Sequence, residues 1–260
     1  MGEHSGHGGR GSEPDEVARG YAPGGHGVPG GLSLDANGLR FAPDETRFAP
    51  GEGADWSFRI VDDRGNAVTD FEDAHGELAH LVVVRRDLTR FQHRHPTLDA
   101  DGTWTAEGFA LPEQGVYRAF VDVVANGRPT TLGFDLFASG SGDVEGRPDA
   151  SRRATADGYD VELLTDEVAA GESGRLAFAV RRDGDSVPHL DRYLGALGHL
   201  VALREGDLAY LHVHPEATDP DGGRIEFGVR FPTPGRYRLF LQAKPEGTLV
   251  TARFDLRIDA

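Results

Sequence analysis

From Gly38 onward, apolar residues come in short runs, several alternating with period two and separated by turn residues, so the sequence predicts an all-β fold. Two further observations support this. The 260 residues include 36 Gly and 15 Pro, punctuation that suits many turns better than long helices. The second half also repeats the first, element by element, at a period of about 120 residues. Each half offers about seven short strands with turns every 8–12 residues, the pattern of an immunoglobulin-like β-sandwich. The expectation is two tandem immunoglobulin-like β-sandwich domains from an internal duplication, at 37–138 and 157–260, joined by a linker at 139–156.

Residues 1–36 are Gly-rich, with His4, His7 and His26 scattered among Ser, Pro and acidic residues. Such a segment buries too little apolar surface to offset its chain entropy and reads as a disordered tether. In the first unit, Leu39–Phe41 and Phe48 precede the turn Pro50–Glu52, and Trp56, Phe58 and Ile60 alternate with polar residues. Asp62–Asn66 is a turn, and a histidine-bearing hairpin follows. Then come the turn Asp99–Gly102, a strand at Thr103–Ala106, a strand at Val116–Asp122 and a last one at Leu132–Phe137. Residues 139–155 are rich in Gly, Ser and charge and show no period.

The second unit answers each element: Tyr159–Val161, Gly171–Glu172, Leu176–Val180, Arg182–Asp185, a second histidine hairpin, Gly235–Phe240 and Phe254–Leu256. Both units carry Gly-x-Tyr-Arg, at Gly115–Arg118 and Gly235–Arg238, which fits the tyrosine of a sandwich corner.

The formal net charge is −16, from 43 acidic and 27 basic residues. An acidic surface of this size repels phosphate backbones and anionic lipid, which argues against nucleic-acid and membrane-surface binding. There is no cysteine and Met1 is the only methionine, so disulfides, thiol nucleophiles and the soft ligands of Cu(I) are all missing. Any metal must be held by nitrogen and oxygen.

The feature that carries chemistry occurs twice. His80-Leu81-Val82-Val83-Val84 leads through a polar turn to Phe91-Gln92-His93-Arg94-His95-Pro96. His199-Leu200-Val201-Ala202-Leu203 leads likewise to Tyr210-Leu211-His212-Val213-His214-Pro215. A turn centred on Arg85–Leu88 would set His80 opposite His93, and one at Arg204–Asp207 would set His199 opposite His212. Directly opposed Cβ atoms lie about 4.5–5.5 Å apart, and His95 and His214 would follow on the same face, diagonally about 7 Å away. Three imidazoles so placed can converge on one ion at about 2.0–2.1 Å. Between the halves Val83 becomes Ala202, Phe91 becomes Tyr210 and Gln92 becomes Leu211, while the three histidines and the proline are unchanged. The expected ligands are therefore His80, His93 and His95 in one unit and His199, His212 and His214 in the other.

Three neutral imidazoles with an open position suit copper(II) or zinc(II), with two ions per chain if each unit binds one. His75 and His189 precede the hairpins at non-equivalent positions, as candidate fourth ligands or ordinary loop histidines. Asp122 aligns with Gln242, which speaks against a shared carboxylate ligand, and Arg85-Arg86 reads as a solvated turn.

The stretches HLVVVRRDLTRFQHRHP with GVYRAFVDV, and YLGALGHLVALREGDLAYLHVHP with GRYRLF, resemble a family of exported two-domain proteins of high-GC bacteria. The likeness runs over roughly residues 36–258. It implies a cell-envelope location and a role in heavy-metal, chiefly copper, handling. The sequence begins without a leader, which taken literally means cytoplasmic. The function expected is a non-enzymatic metal-binding protein of the cell envelope that buffers or delivers its ion, the metal being the one partner the sequence points to. Two alternatives stand beside it. Gly206-x5-His212-x-His214 echoes a cupin metalloenzyme such as an oxygenase, although Glu216 is misplaced for it and Tyr237 stands where a histidine is wanted. The other is a structural or protein-interaction pair of sandwiches without metal, its histidines sensing pH.

Overall fold

The computed structural model describes residues 29–74, 76–165, 167–193, 195–213 and 222–260; the side chain of His212 and all of His75 and His214 lie outside the described residues. The first domain is built from β1 (Asp35–Ala36), β2 (Leu39–Pro43), β3 (Arg47–Phe48), β4 (Ala54–Asp62), β5 (Ala79–Arg85), β6 (Gln92–Arg94), β7 (Thr97–Leu98), β8 (Thr103–Phe109), β9 (Gly115–Ala125) and β10 (Arg128–Ala138). The second follows with β11 (Arg153–Ala156), β12 (Tyr159–Leu163), β13 (Gly174–Arg182), β14 (Asp185–Ser186), β15 (Leu190–Asp191), β16 (Gly198–Arg204), β17 (Tyr210–Val213), β18 (Arg224–Val229), β19 (Gly235–Pro245) and β20 (Val250–Ile258).

The predicted fold class holds: each domain is a sandwich of two sheets. In the first, β1-β2-β4-β8-β7 faces β3-β10-β9-β5-β6. In the second, β11-β12-β13-β14 with β18 faces β15-β19-β16-β17 with β20. The two stretches expected to be tail and linker contribute edge strands: β1 pairs β2, and β11 pairs β12.

Alternation places the cores. Trp56, Phe58 and Ile60 of β4 point inward with Trp104, Tyr117 and Leu136, and Phe178, Phe227, Tyr237 and Phe254 do the same in the second domain. Both corner tyrosines act as expected. The Tyr117 hydroxyl donates to the Glu113 carbonyl at 2.9 Å and the Tyr237 hydroxyl to the Thr233 carbonyl at 3.0 Å, tying the start of β9 and β19 to the preceding turn.

The strand β5 is buried along its whole length, and β16 almost so. Leu81 and Val83 enter the core of their own sandwich, while Val82 and Val84 face outward. In the second domain Leu200 and Ala202 point in, and Val201 and Leu203 point out. The outward residues form a third apolar cluster with Leu88, Phe120, Leu208, Tyr210 and Phe240, against which Phe91 packs. This cluster is the interface between the domains, so these sheets are covered on both faces. Its contacts are related by a pseudo-two-fold exchange. Phe91 stacks on Phe240 at 4.1 Å, and Tyr210, which matches Phe91 in the repeat, stacks at 4.9 Å on Phe120, which matches Phe240.

One strap breaks that symmetry. Arg238 donates to the carbonyl of Leu88, whereas its counterpart Arg118 donates to the carbonyl of Gly31 at 2.7 Å. Gly30 accepts from the amide of Tyr210, and Gly31 donates to the carbonyl of Thr131, so residues 30–31 lie between the domains. Gly31 has φ +70°, and a Cβ there would lie 2.4 Å from the Phe120 ring, so the passage needs glycine.

Candidate metal centre

The hairpin register differs from the expected one by two residues. Val82, not His80, lies opposite His93, and Val201, not His199, lies opposite His212. The turns are longer than four residues because Leu88 and Arg90 in the first, and Gly206 and Leu208 in the second, take left-handed backbone conformations. A slip of two keeps every side chain on its face, since the strand period is two. The histidines therefore remain on one side, and that side is the domain interface.

There the rings of His80, His93 and His95 converge, with one ligand nitrogen from each within 4.8 Å of the others. His80 Nδ1 lies 3.0 Å from His93 Nε2 and 3.1 Å from His95 Nε2. The outer nitrogens set the protonation. His80 Nε2 lies 3.0 Å from the Ala74 carbonyl, and His93 Nδ1 lies 2.7 Å from Gln242 Oε1. Both oxygens only accept, so the proton of neutral His80 is on Nε2 and that of neutral His93 on Nδ1. The other end of the Gln242 amide, Nε2, donates to Thr251 Oγ1 at 3.3 Å. His80 Nδ1, His93 Nε2 and His95 Nε2 thus face one another at the centre of the cluster, the first 3.0 Å from the second and 3.1 Å from the third.

The second domain adds His199, as buried as His80 at 1% exposure. Its ring lies 5.9 Å from that of His80 and 5.7 Å from that of His93. Its Nε2 donates to the Tyr193 carbonyl at 2.9 Å, as His80 does to Ala74, in each case six residues back. Burial, reinforced by the neighbouring His80 and His199, pushes His95 down to about 3. On the strand next to β5, Asp122 lies opposite His80 and accepts from Thr131 Oγ1 at 2.9 Å. Gln242 lies opposite His199 in the same way.

Of the six expected ligands, three are thus gathered, His199 adjoins them from the other domain, His212 is placed by its backbone alone, and His214 falls outside the described residues. His189 is 54% exposed beside Asp191, a surface loop histidine. The solvated reading of Arg85 is corrected. Its side chain is 7% exposed and pairs with Asp87 at 2.7 Å and Glu113 at 2.8 Å, because the hairpin turn folds back over the sheet end. Arg86, 41% exposed, pairs with Asp135. Gln242 was missed as an orienting group; its alignment with Asp122, on the strand beside the histidines, was the available signal.

Comparison with solved structures finds loose likenesses at low identity. The Escherichia coli adhesin FdeC is 14% identical over 88% of this chain and 66% of its own, with a TM-score of 0.27. Invasin, a bacterial integrin-binding protein, is 13% identical over 85% and 39%, with a TM-score of 0.26. Salmonella alpha-2-macroglobulin is 13% identical over 92% and 16%, with a TM-score of 0.30. The chain spans less than two thirds of each of the three, and overlays this loose carry no argument about function. No curated protein matches. A domain of unknown function, DUF8832, matches over residues 34–140 and again over 154–260. The chain therefore belongs to the DUF8832 family and carries its domain twice.

Proposed function

We propose that the protein is a non-enzymatic binder of a divalent transition metal, copper(II) or zinc(II), held by His80 Nδ1, His93 Nε2 and His95 Nε2. The observation that carries this reading is the convergence of one ring nitrogen from each of three histidines, His80 Nδ1 lying 3.0 Å from His93 Nε2 and 3.1 Å from His95 Nε2. Two ligands at about 2.0–2.1 Å from one ion stand about 3.3–3.4 Å apart at the tetrahedral angle, a few tenths of an ångström more than the 3.0 and 3.1 Å found here, so a small spreading of the rings would seat the ion. An outer N–H held by a carbonyl is also the usual support of a metal-bound histidine. The role proposed is buffering or delivery of the ion in the cell envelope, following the family resemblance drawn from the sequence.

A second reading is favoured by the interface itself. The histidines lie beside an apolar, aromatic-stacked contact, so they would also serve a rigid two-domain interaction protein in which a shared proton takes the place of the metal. Titration of metal-stripped protein with zinc(II) and copper(II) separates the two. Binding that disappears in His93→Ala, with the fold retained by circular dichroism, supports the metal. Absence of binding at neutral pH leaves the interaction reading standing.

A further inference from the structure

The three histidines of the first domain leave one face of their cluster directed at the second domain, and His199 lies there. We propose that His199 is the fourth ligand, so that a single ion is shared by both domains and clamps them together; this rests on the metal reading above.

The ring centroids of His80, His93 and His95 lie 4.8–5.3 Å from one another. Those of His80 and His93 lie 5.9 and 5.7 Å from His199, a difference of 0.4–1.1 Å. His199 stands outside the 4.8 Å set formed by the other three, and closing that difference would bring its ring to the spacing His80 and His93 already keep with each other and with His95. Donation of Nε2 to the Tyr193 carbonyl puts the His199 lone pair on Nδ1, the same atom that His80 would use. The Tyr193 ring stands edge-on to His199, at 5.8 Å and 87°, and holds its plane. The interface supports the shared site on both sides: Gln242, on the strand beside His199, orients His93 of the other domain.

Chemically, four nitrogen ligands and no carboxylate select a borderline divalent ion such as zinc(II) in tetrahedral geometry. Four protein ligands also close the coordination sphere. Closed sites hold an ion for structure or storage, whereas catalytic sites keep a position for water. The held ion therefore has a second job beside buffering, that of joining the domains.

The test uses the full chain loaded with zinc(II), X-ray absorption fine structure to count imidazole ligands, and a competition titration for affinity. Wild type is expected to show four imidazoles. His199→Gln, which keeps a donor for Tyr193 and removes the Nδ1 ligand, is expected to show three and to bind zinc about 100-fold or more weakly. Four imidazoles and wild-type affinity in His199→Gln would overturn the shared site while leaving the metal reading intact. Failure of wild type to bind zinc or copper would overturn both. If the variant does not fold, the ligand count decides on wild type alone, three imidazoles standing against the proposal.

Discussion

Nδ1 of His93 in the first domain donates to Oε1 of Gln242 in the second across 2.7 Å, so His93 takes its orientation from the other domain. Outer partners of this kind fix tautomer and ring direction, and losing one costs metal affinity by about 10–100-fold. Gln242→Ala is expected to weaken zinc binding by that factor with the fold unchanged, and Gln242→Glu, which keeps an acceptor, to retain it. Isothermal titration checks both, and an Ala variant that binds like wild type removes Gln242 from the site.

The same cluster sets a pH dependence. Burial, with His80 and His199 nearby, holds His95 down to about 3 in the folded chain, against about 6.5 in an unfolded one. Between those values the unfolded chain binds more protons than the folded, so stability is complete above pH 6.5 and declines as pH falls toward 3. The loss is on the order of 2–4 kcal/mol across the window, allowing for water at the rim. Denaturant melts of metal-free protein at pH 7, 5 and 4 should show it, and His95→Gln should flatten the slope.

Much of this was legible in the sequence, and the gaps have physical causes. Period-two alternation and a repeat of the whole pattern reveal the sandwiches, because side chains that must be buried recur wherever the fold does. The histidine face was legible for the same reason. Register was not, because left-handed turns at Leu88, Arg90 and Leu208 add residues to the hairpins without a glycine to announce each one. The interface has a signal in the sequence too: Leu81 to Val84 are four consecutive apolar residues, where a strand with one wet face would alternate. The strap left none, since Gly30 and Gly31 bind through backbone atoms and patterning reports side chains.

The corner tyrosines give a stability prediction. The Tyr117 hydroxyl donates to the Glu113 carbonyl and accepts from the Glu113 amide at 3.2 Å, inside an otherwise apolar core. Removing it leaves two backbone groups without that partner, a cost of about 1–3 kcal/mol. Tyr117→Phe and Tyr237→Phe are each expected to lower the unfolding free energy of their own domain by that amount, read by chemical denaturation. A change below about 0.5 kcal/mol in both would show that the corners are held by packing alone.

Passage of the strap depends on Gly133, where a Cβ would lie 2.0 Å from the Gly31 carbonyl oxygen and 2.6 Å from Arg118 Nη2. Backbone cannot yield as a side chain tip can, so Gly133→Ala should expel residues 30–31 and break the bond to Arg118. The expected cost is about 1–3 kcal/mol, as for overpacking elsewhere. Limited proteolysis supplies the specific readout: cleavage close to Gly30 should rise in the variant, and an unchanged digestion pattern would count against the strap.

The stacked pair Phe91 and Phe240, at 4.1 Å and 8° between planes, joins the domains through side chains that neither sandwich core uses. Phe240 is 1% exposed, so truncating it opens a cavity at the contact and costs about 3–5 kcal/mol. That loss falls on the coupling between domains more than on either core, because Leu239 and Leu241 on the same strand still fill the second sandwich. Phe240→Ala is therefore expected to turn one calorimetric transition into two, each domain melting by itself. Phe91→Ala should do the same, and the double variant should cost less than the sum by about 0.5–1.5 kcal/mol, the worth of an aromatic pair beyond its buried area. A single transition that merely shifts in both variants would mean that the strap and the Arg238–Leu88 bond suffice to hold the domains together.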